Sequence, residues 1–305
     1  VVVDPDAAEL RDYRAREQQE ARERRDLERL RSKPTRTRDG VDIAVYANAE
    51  SREDVARAHA LGAAGVGLYR TEFLFLQSEQ LPDEEEQFLA YRDAVLAMPG
   101  RPVTFRTLDL GADKADRAGL TLANEDNPAL GVRGVRLSLL YDRVFDTQLR
   151  AIARASAYGP VRVLVPMVAC REELVIVRRR LARAVASVRR RGVAVEPPPL
   201  GAMIEVPAAA IGVHGLADAV DFLSVGTNDL VQYLLAVDRN NDALGDLYSP
   251  LHPGVLRLLA HVIGAGVQHG VPVAVCGEMA GDVRLAPLLL ALGLREFSPV
   301  SYTHL

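Results

Sequence analysis

Eight apolar runs of strand length, separated by longer stretches with helical patterning, predict a (β/α)8 barrel for most of this chain. The runs fall at 41–47, 65–70, 102–108, 161–168, 200–206, 220–226, 271–277 and, least sharply, 295–300. The intervening stretches, such as 51–61 and 171–190, are long enough for the crossover helices that parallel neighbours require. The span 41–300, roughly 260 residues, matches the usual barrel size of about 250. With no Trp and 5% aromatic residues, the core must be built from small aliphatic side chains, as in parallel-sheet proteins. An α/β open, doubly wound sheet is the alternative. It would gather its chemistry at one switch point behind a GxGxxG turn, whereas here no such turn follows the first run and reactive residues stand at many strand ends.

Taken in order, Val1-Val2-Val3 reads as the tail of a strand cut off by Asp4-Pro5. From Glu9 to Arg31 follows a highly charged helix, apolar only at positions such as Leu10, Tyr13, Leu27 and Leu30; it buries little and reads as a connector. Pro34 ends it and Arg38-Asp39-Gly40 makes a turn, which places a domain boundary at Gly40. The expected organisation is the end of another domain at 1–5, a linker helix at 6–40, the barrel at 41–300 and a tail at 301–305. Within the barrel the strand ends carry Tyr69-Arg70-Thr71-Glu72, Phe105-Arg106-Thr107, Met203-Ile204-Glu205, Gly226-Thr227-Asn228-Asp229 and Val275-Cys276-Gly277-Glu278, with Arg239 downstream of the fourth. A barrel collects these ends into one ring, so residues far apart in sequence meet in one pocket.

Composition excludes several classes. At 49% hydrophobic and 26% charged the chain reads as soluble and globular. Its 37 basic residues against 41 acidic ones, net −4, argue against a nucleic-acid partner. The runs Arg178-Arg179-Arg180 and Arg189-Arg190-Arg191 read as solvated helix faces. No apolar run reaches the ~18 residues that span a bilayer, and nothing resembles a signal peptide. Cys170 and Cys276 lie far apart without CxxC or zinc spacing, which points to a reducing compartment and a cytoplasmic location.

Glu205 and Asp229 each stand where a buried strand gives way to a loop. Singly, such an acid is more often structural; at equivalent strand ends they supply two oxygen ligands, too few for a calcium cage but suited to magnesium, which keeps waters and takes substrate oxygens. Arg70, Arg106 and Arg239 present planar forks that match phosphate and carboxylate, so they imply a small ligand with more than one negative charge. The competing reading pairs them with barrel acids such as Glu72 and Asp109. Cys276 is followed at once by small and polar residues, so its sulfur is expected near the pocket mouth, where a protonated thiol can deliver a proton to carbon. Cys170 reads as inert packing in an apolar strand. The competing role for Cys276, a nucleophilic thiolate, would call for a histidine partner; His252 and His269 stay open for it although neither occupies a strand end, and the other histidines read as surface or packing residues.

The motifs Gly67 to Phe75, Arg106 to Lys114, Asn127 to Arg136, Met203 to Ala209, Gly226 to Asn240 and Cys276 to Asp282 resemble the phosphoenolpyruvate-utilising enzymes, and in wording most closely the enzyme I branch that serves the phosphotransferase system of sugar transport. The forms Leu68-Tyr69-Arg70-Thr71-Glu72-Phe73 and Leu108-Asp109-Leu110-Gly111-Ala112-Asp113-Lys114 separate it from the pyruvate phosphate dikinase and phosphoenolpyruvate synthase branches. The resemblance implies that Glu205 and Asp229 hold Mg2+, that Arg70, Arg106, Arg239, Asn228 and Asp229 line the phosphoenolpyruvate site, and that Cys276 protonates the enolate carbon to give pyruvate. Arg133 and Asp109 are implied as support. It further implies a homodimer, and a phosphoryl acceptor histidine on a separate N-terminal phosphohistidine domain that hands on to a phosphocarrier protein. Residues 1–5 resemble the end of that domain and 6–40 its linker, while the chain itself contains no Thr-Ser-His segment. Residues 299–305 depart from the family pattern, so the eighth β/α unit is expected to be truncated. Two other classes stay open: a binding or dimerisation module without turnover, and a magnesium-dependent pyruvate aldolase or lyase.

Overall fold

The computed structural model describes residues 6–30, 33–77, 80–111, 120 and 125–299. The expected domain remnant at 1–5, the tail at 301–305 and the Ala112-Asp113-Lys114 end of one motif therefore lie outside the described residues. The chain divides into two compact units between Asp42 and Ile43. In the first, the helix Ala7–Leu30 begins where it does because Asp6 caps it: its Oδ1 accepts the N–H groups of Ala8 and Glu9, and Glu9 accepts from the Asp6 N–H in return. Leu10, Tyr13 and Leu30 are exposed on it. After the helix, Arg36 grips Asp42 with two hydrogen bonds of 2.6 and 3.1 Å, closing the turn at Gly40, whose φ of 89° only glycine adopts at no cost.

The second unit is the barrel. Strand β1 comes in two pieces, Ala44–Val45 and Ala47–Ala49, interrupted at Tyr46. The others are β2 Val66–Arg70, β3 Val103–Arg106, β4 Val161–Val165, β5 Leu200–Ile204, β6 Phe222–Gly226, β7 Val273–Cys276 and β8 Glu296–Ser298. All pair in parallel with their sequence neighbours, and the two pieces of β1 pair with β8 and β2 respectively, which closes the ring. β2 to β8 each sit inside the run expected for them, β1 runs two residues past 41–47 to Ala49, and the expected helical stretches 51–61 and 171–190 form as Arg52–Leu61 and Arg171–Arg190.

The periodicity explains the layers. Alternate strand residues face the enclosing helices in one large aliphatic core, while Leu68, Leu164, Met203, Phe222 and Cys276 form a separate cluster. A third cluster, Phe75, Leu108, Leu110, Leu120 and Leu137, forms over the ends of β2 and β3. On the outside, Glu84 accepts from Arg150, Arg154 and Arg191, tying three helices together. Among the described residues, no helix is long and apolar enough to cross a membrane.

Candidate functional site

The carboxyl ends of β3, β5 and β6 bring Arg106, Glu205 and Asp229 together with Glu72, which follows β2. Arg106, at the end of β3, has its side chain 12% exposed and reaches Glu72 at 3.2 Å and Asp109 at 3.3 Å. Burial opposes its charge, but Glu72, Asp109 and Glu205 outweigh burial and hold the guanidinium protonated far above its usual range. Asp109 is shared: Arg133 grips it with two bonds, 3.1 Å to Oδ1 and 2.9 Å to Oδ2. Burial pushes the Asp109 carboxyl up, and Arg106 and Arg133 reverse that, leaving it below its usual range. For Glu72 burial wins over Arg106, and its carboxyl is raised. Arginine-to-acid pairing, the competing reading of these side chains, is thus real for Arg106.

Arg133 links this group to β6. Its Nη1 lies 3.6 Å from Asp229 Oδ1 and 3.3 Å from the Tyr233 hydroxyl, which donates onward to the Ala129 carbonyl. Arg239 approaches the same Asp229 oxygen at 3.9 Å. Neither distance is a hydrogen bond, so Asp229 Oδ1 is a buried oxygen held by ion pairs alone, with no hydrogen-bond partner. Glu205, 1% exposed at the end of β5, accepts the Met167 N–H through Oε1 at 2.6 Å. Met167 has a φ of 57°, a conformation costing roughly 1–2 kcal/mol for a side-chain-bearing residue, and this turn is what aims its N–H at the carboxylate. Burial first, then the neighbouring charges of Asp229 and Asp109, push the Glu205 carboxyl up to about 8. Its second oxygen needs room: a Cβ on Gly226 would come within 2.7 Å of Oε2, so glycine there keeps the carboxylate in place.

Other expected residues sit differently. Arg70 is bound to Glu50 at 2.6 Å and partly exposed, within electrostatic reach of Cys276. The Asn228 amide exchanges hydrogen bonds with Glu278, 3.2 Å outward and 3.0 Å inward, beside a cleft of about 120 Å³ whose lining includes Tyr248 and Asp282 and none of the arginines. Cys276 is deeper than expected: the residue is 2% exposed among Leu68, Leu164, Met203 and Phe222, not at the mouth, because it is the last residue of β7 and faces the inner cluster. Burial pushes the thiol up to about 11, and its Sγ donates to the Val225 carbonyl at 3.4 Å. Cys170 corrects a second expectation. It is exposed and caps the helix Arg171–Arg190, with its N–H donating to Glu173 at 3.1 Å, since β4 ends at Val165. Native protein at pH 8 should therefore react with iodoacetamide at Cys170, and at Cys276 slower by roughly 100-fold until denaturant is added, as read by peptide mass spectrometry.

Sequence reasoning missed Gln148, and its signal was present: a polar residue between Phe145 and Ile152 on the apolar face of the helix Asp142–Ala155. Its Oε1 accepts the Leu108 N–H at 3.0 Å, while Nε2 donates to Thr71 Oγ1 at 3.1 Å and to the Tyr91 hydroxyl at 3.2 Å. Thr71 Oγ1 donates in turn to the Arg106 carbonyl at 2.9 Å. The loops after β2 and β3 are thereby pinned to one helix. Gln148→Leu would bury the Leu108 N–H unpaired, and urea unfolding should show a loss of about 1–3 kcal/mol.

Fold and site together define a parallel (β/α)8-barrel domain whose strand ends gather carboxylates and arginines around a buried oxygen that accepts no hydrogen bond. The sequence profile of the family described as "PEP-utilising enzyme, PEP-binding domain" matches residues 24–303, and the chain belongs to that family. A phosphoenolpyruvate-protein phosphotransferase of Cupriavidus necator is 52% identical over 301 residues, covering 98% of this chain and 51% of the relative. Proteins of the same name from Geobacillus stearothermophilus and Haemophilus influenzae are each 44% identical over 299 residues, covering 98% of this chain and 52% of the relative. The chain thus spans about half the length of the curated relatives it matches. Among solved structures, an HpcH/HpaI aldolase/citrate lyase family protein from Burkholderia cenocepacia shares the fold with a TM-score of 0.55 at 18% identity, covering 92% of this chain and 94% of that one.

Proposed function

We propose that this chain is the phosphoenolpyruvate-binding catalytic domain of a phosphoenolpyruvate-protein phosphotransferase, acting with Mg2+. The observation that carries the reading is Asp229 Oδ1, buried without a hydrogen bond beside Glu205, with the Arg133 and Arg239 guanidiniums at 3.6 and 3.9 Å. The two guanidiniums balance its charge but leave its hydrogen-bonding capacity unfilled, which a bound cation would complete. Among the described residues no group of three or more His, Cys, Asp or Glu side chains is arranged to hold a metal ion. Two carboxylates nevertheless fit magnesium, whose shell is finished by water and substrate oxygens. Glu205 and Asp229 would hold it, and when bound it neutralises phosphate charge and orients the phosphate oxygens.

Arg106, Arg70 and Arg239, with Asn228, bind the phosphate and carboxylate of phosphoenolpyruvate and hold the bridging bond in line with an incoming histidine nitrogen. That histidine belongs to a separate N-terminal phosphohistidine domain. As the N–P bond forms and the O–P bond breaks, the departing enolate is protonated at carbon by Cys276: the C=C electron pair takes the thiol proton, the sulfur keeps the S–H pair as thiolate, and pyruvate results. A thiol raised to about 11 stays protonated at neutral pH and is available for that step. Positioning and charge neutralisation are what phosphoryl transfer chiefly demands. A cytoplasmic location, a homodimer and onward transfer to a phosphocarrier protein for sugar uptake belong to the same reading.

Phosphoenolpyruvate with Mg2+ should raise the melting temperature by about 5–10 °C at a hundredfold excess over Kd, and neither alone should do so fully. Adding the histidine domain in trans should then release pyruvate. No thermal shift would refute the proposed site, while a shift without pyruvate would reduce the chain to a binding module.

A further inference from the structure

Three histidines gather on the outer surface, on elements remote in sequence. His214 lies in the short turn Val213–Gly215, and His261 and His269 lie on the helix Pro253–His269. Nδ1 of His214 and Nε2 of His269 are 3.1 Å apart, with ring centroids at 5.3 Å and planes inclined by 56°. His261 packs edge-on against His214 at 5.3 Å, and its Nε2 lies 3.2 Å from the Ile211 carbonyl, so that nitrogen carries a hydrogen. Asp218, clamped by Arg171 through bonds of 3.1 and 2.9 Å, lies within electrostatic reach of His269. None of these groups takes part in the strand-end network.

Two imidazole nitrogens this close either share one hydrogen or point both lone pairs at one cation. Metal–imidazole bonds of about 2.0–2.1 Å would place two nitrogens at this spacing when the angle at the metal is roughly 100°, between the octahedral and tetrahedral values. Chelation needs the hydrogens on Nε2 of His214 and Nδ1 of His269, and a rotation of the exposed rings that turns both lone pairs to one point. We propose that His214 and His269 chelate a divalent transition ion of the nickel, copper or zinc class. Nitrogen donors select such ions over Mg2+, which prefers oxygen. His261 fixes the His214 ring by packing, and the Asp218 carboxylate adds negative potential that favours a cation. The short turn and the helix C-terminus bring both ligands from regular elements, so little ordering is required on binding.

The test is calorimetric titration of NiCl2 into the chelator-stripped chain, with His214→Ala, His269→Ala and the double variant Glu205→Gln/Asp229→Asn alongside. One Ni2+ should bind at this pair in the parent chain, in addition to any held by Glu205 and Asp229. Affinity should fall by roughly 10–100-fold in each histidine variant and stay unchanged in the strand-end double variant. Circular dichroism confirms that the exposed substitutions leave the fold intact. Parent-strength binding in either histidine variant, absence of binding in the parent chain, or loss of binding in the double variant would each overturn the proposal.

Discussion

Arg106→Ala is expected to abolish the phosphoenolpyruvate–Mg2+ thermal shift and to destabilise the fold by about 3–5 kcal/mol, the usual cost of leaving a buried charge without its partner. Both effects follow from its position. The guanidinium is held between Glu72 and Asp109, and its Nε is a buried donor with no partner. A cation serving stability alone would have its donors satisfied; an open donor at a strand end is what an arriving anion completes. Stability and binding can be separated. In Arg106→Met with Glu72→Gln, the acid left without its cation is neutral, and Asp109 keeps Arg133, so most of the lost stability should return in urea unfolding. The thermal shift with ligand should not return. Arg106→Lys should keep more of the stability and lose the forked contact, giving weaker but measurable binding. A full ligand shift in the double variant would show that Arg106 serves only the fold.

Why these residues could be read from sequence at all is a matter of periodicity. An apolar run ending in Arg70, Arg106, Glu205 or Asp229 marks both the strand and its exit, and barrel topology then brings the exits together without further information. Depth along the strand is harder. Cys276 and Cys170 were both misplaced because each expectation depended on where a strand stops: β7 ends on Cys276 itself, facing inward, whereas β4 stops at Val165 and leaves Cys170 to the next helix. Contacts between remote elements leave weaker marks. Gln148 betrayed itself only as a polar residue on an apolar face, and its partners Leu108 and Thr71 belong to two other segments. The pairing of His214 with His269, 55 positions apart, has no periodic signature, so the three histidines proved to be neighbours only once the helices were packed.

Glu205→Gln is expected to move stability and binding in opposite directions. In the metal-free protein the Glu205 carboxyl is raised to about 8, through burial and the charges of Asp229 and Asp109, whereas in the unfolded chain it ionises near ~4.3. Between those values the folded state holds a proton that the unfolded state has released, so stability falls as pH rises. The contribution is fully present below about 4.3 and is lost by the time pH has passed through 8. Asp109 is shifted the other way, below its usual range, so its loss falls under strongly acidic conditions and outside this window. Glutamine cannot ionise. The variant should therefore show a flatter melting profile between pH 5 and 8 in chelator, and at pH 8 should melt several degrees above the parent, since each kcal/mol is worth about 2–4 °C in a domain of 150–250 residues. Adding Mg2+ should raise the parent at pH 8 and leave the variant unmoved, and the phosphoenolpyruvate shift should vanish in the variant. An unchanged pH slope would mean that the carboxylate is better solvated than its 1% exposure implies. A substitution that stabilises the empty barrel while removing its ligand response identifies a carboxylate retained for chemistry at the expense of the fold.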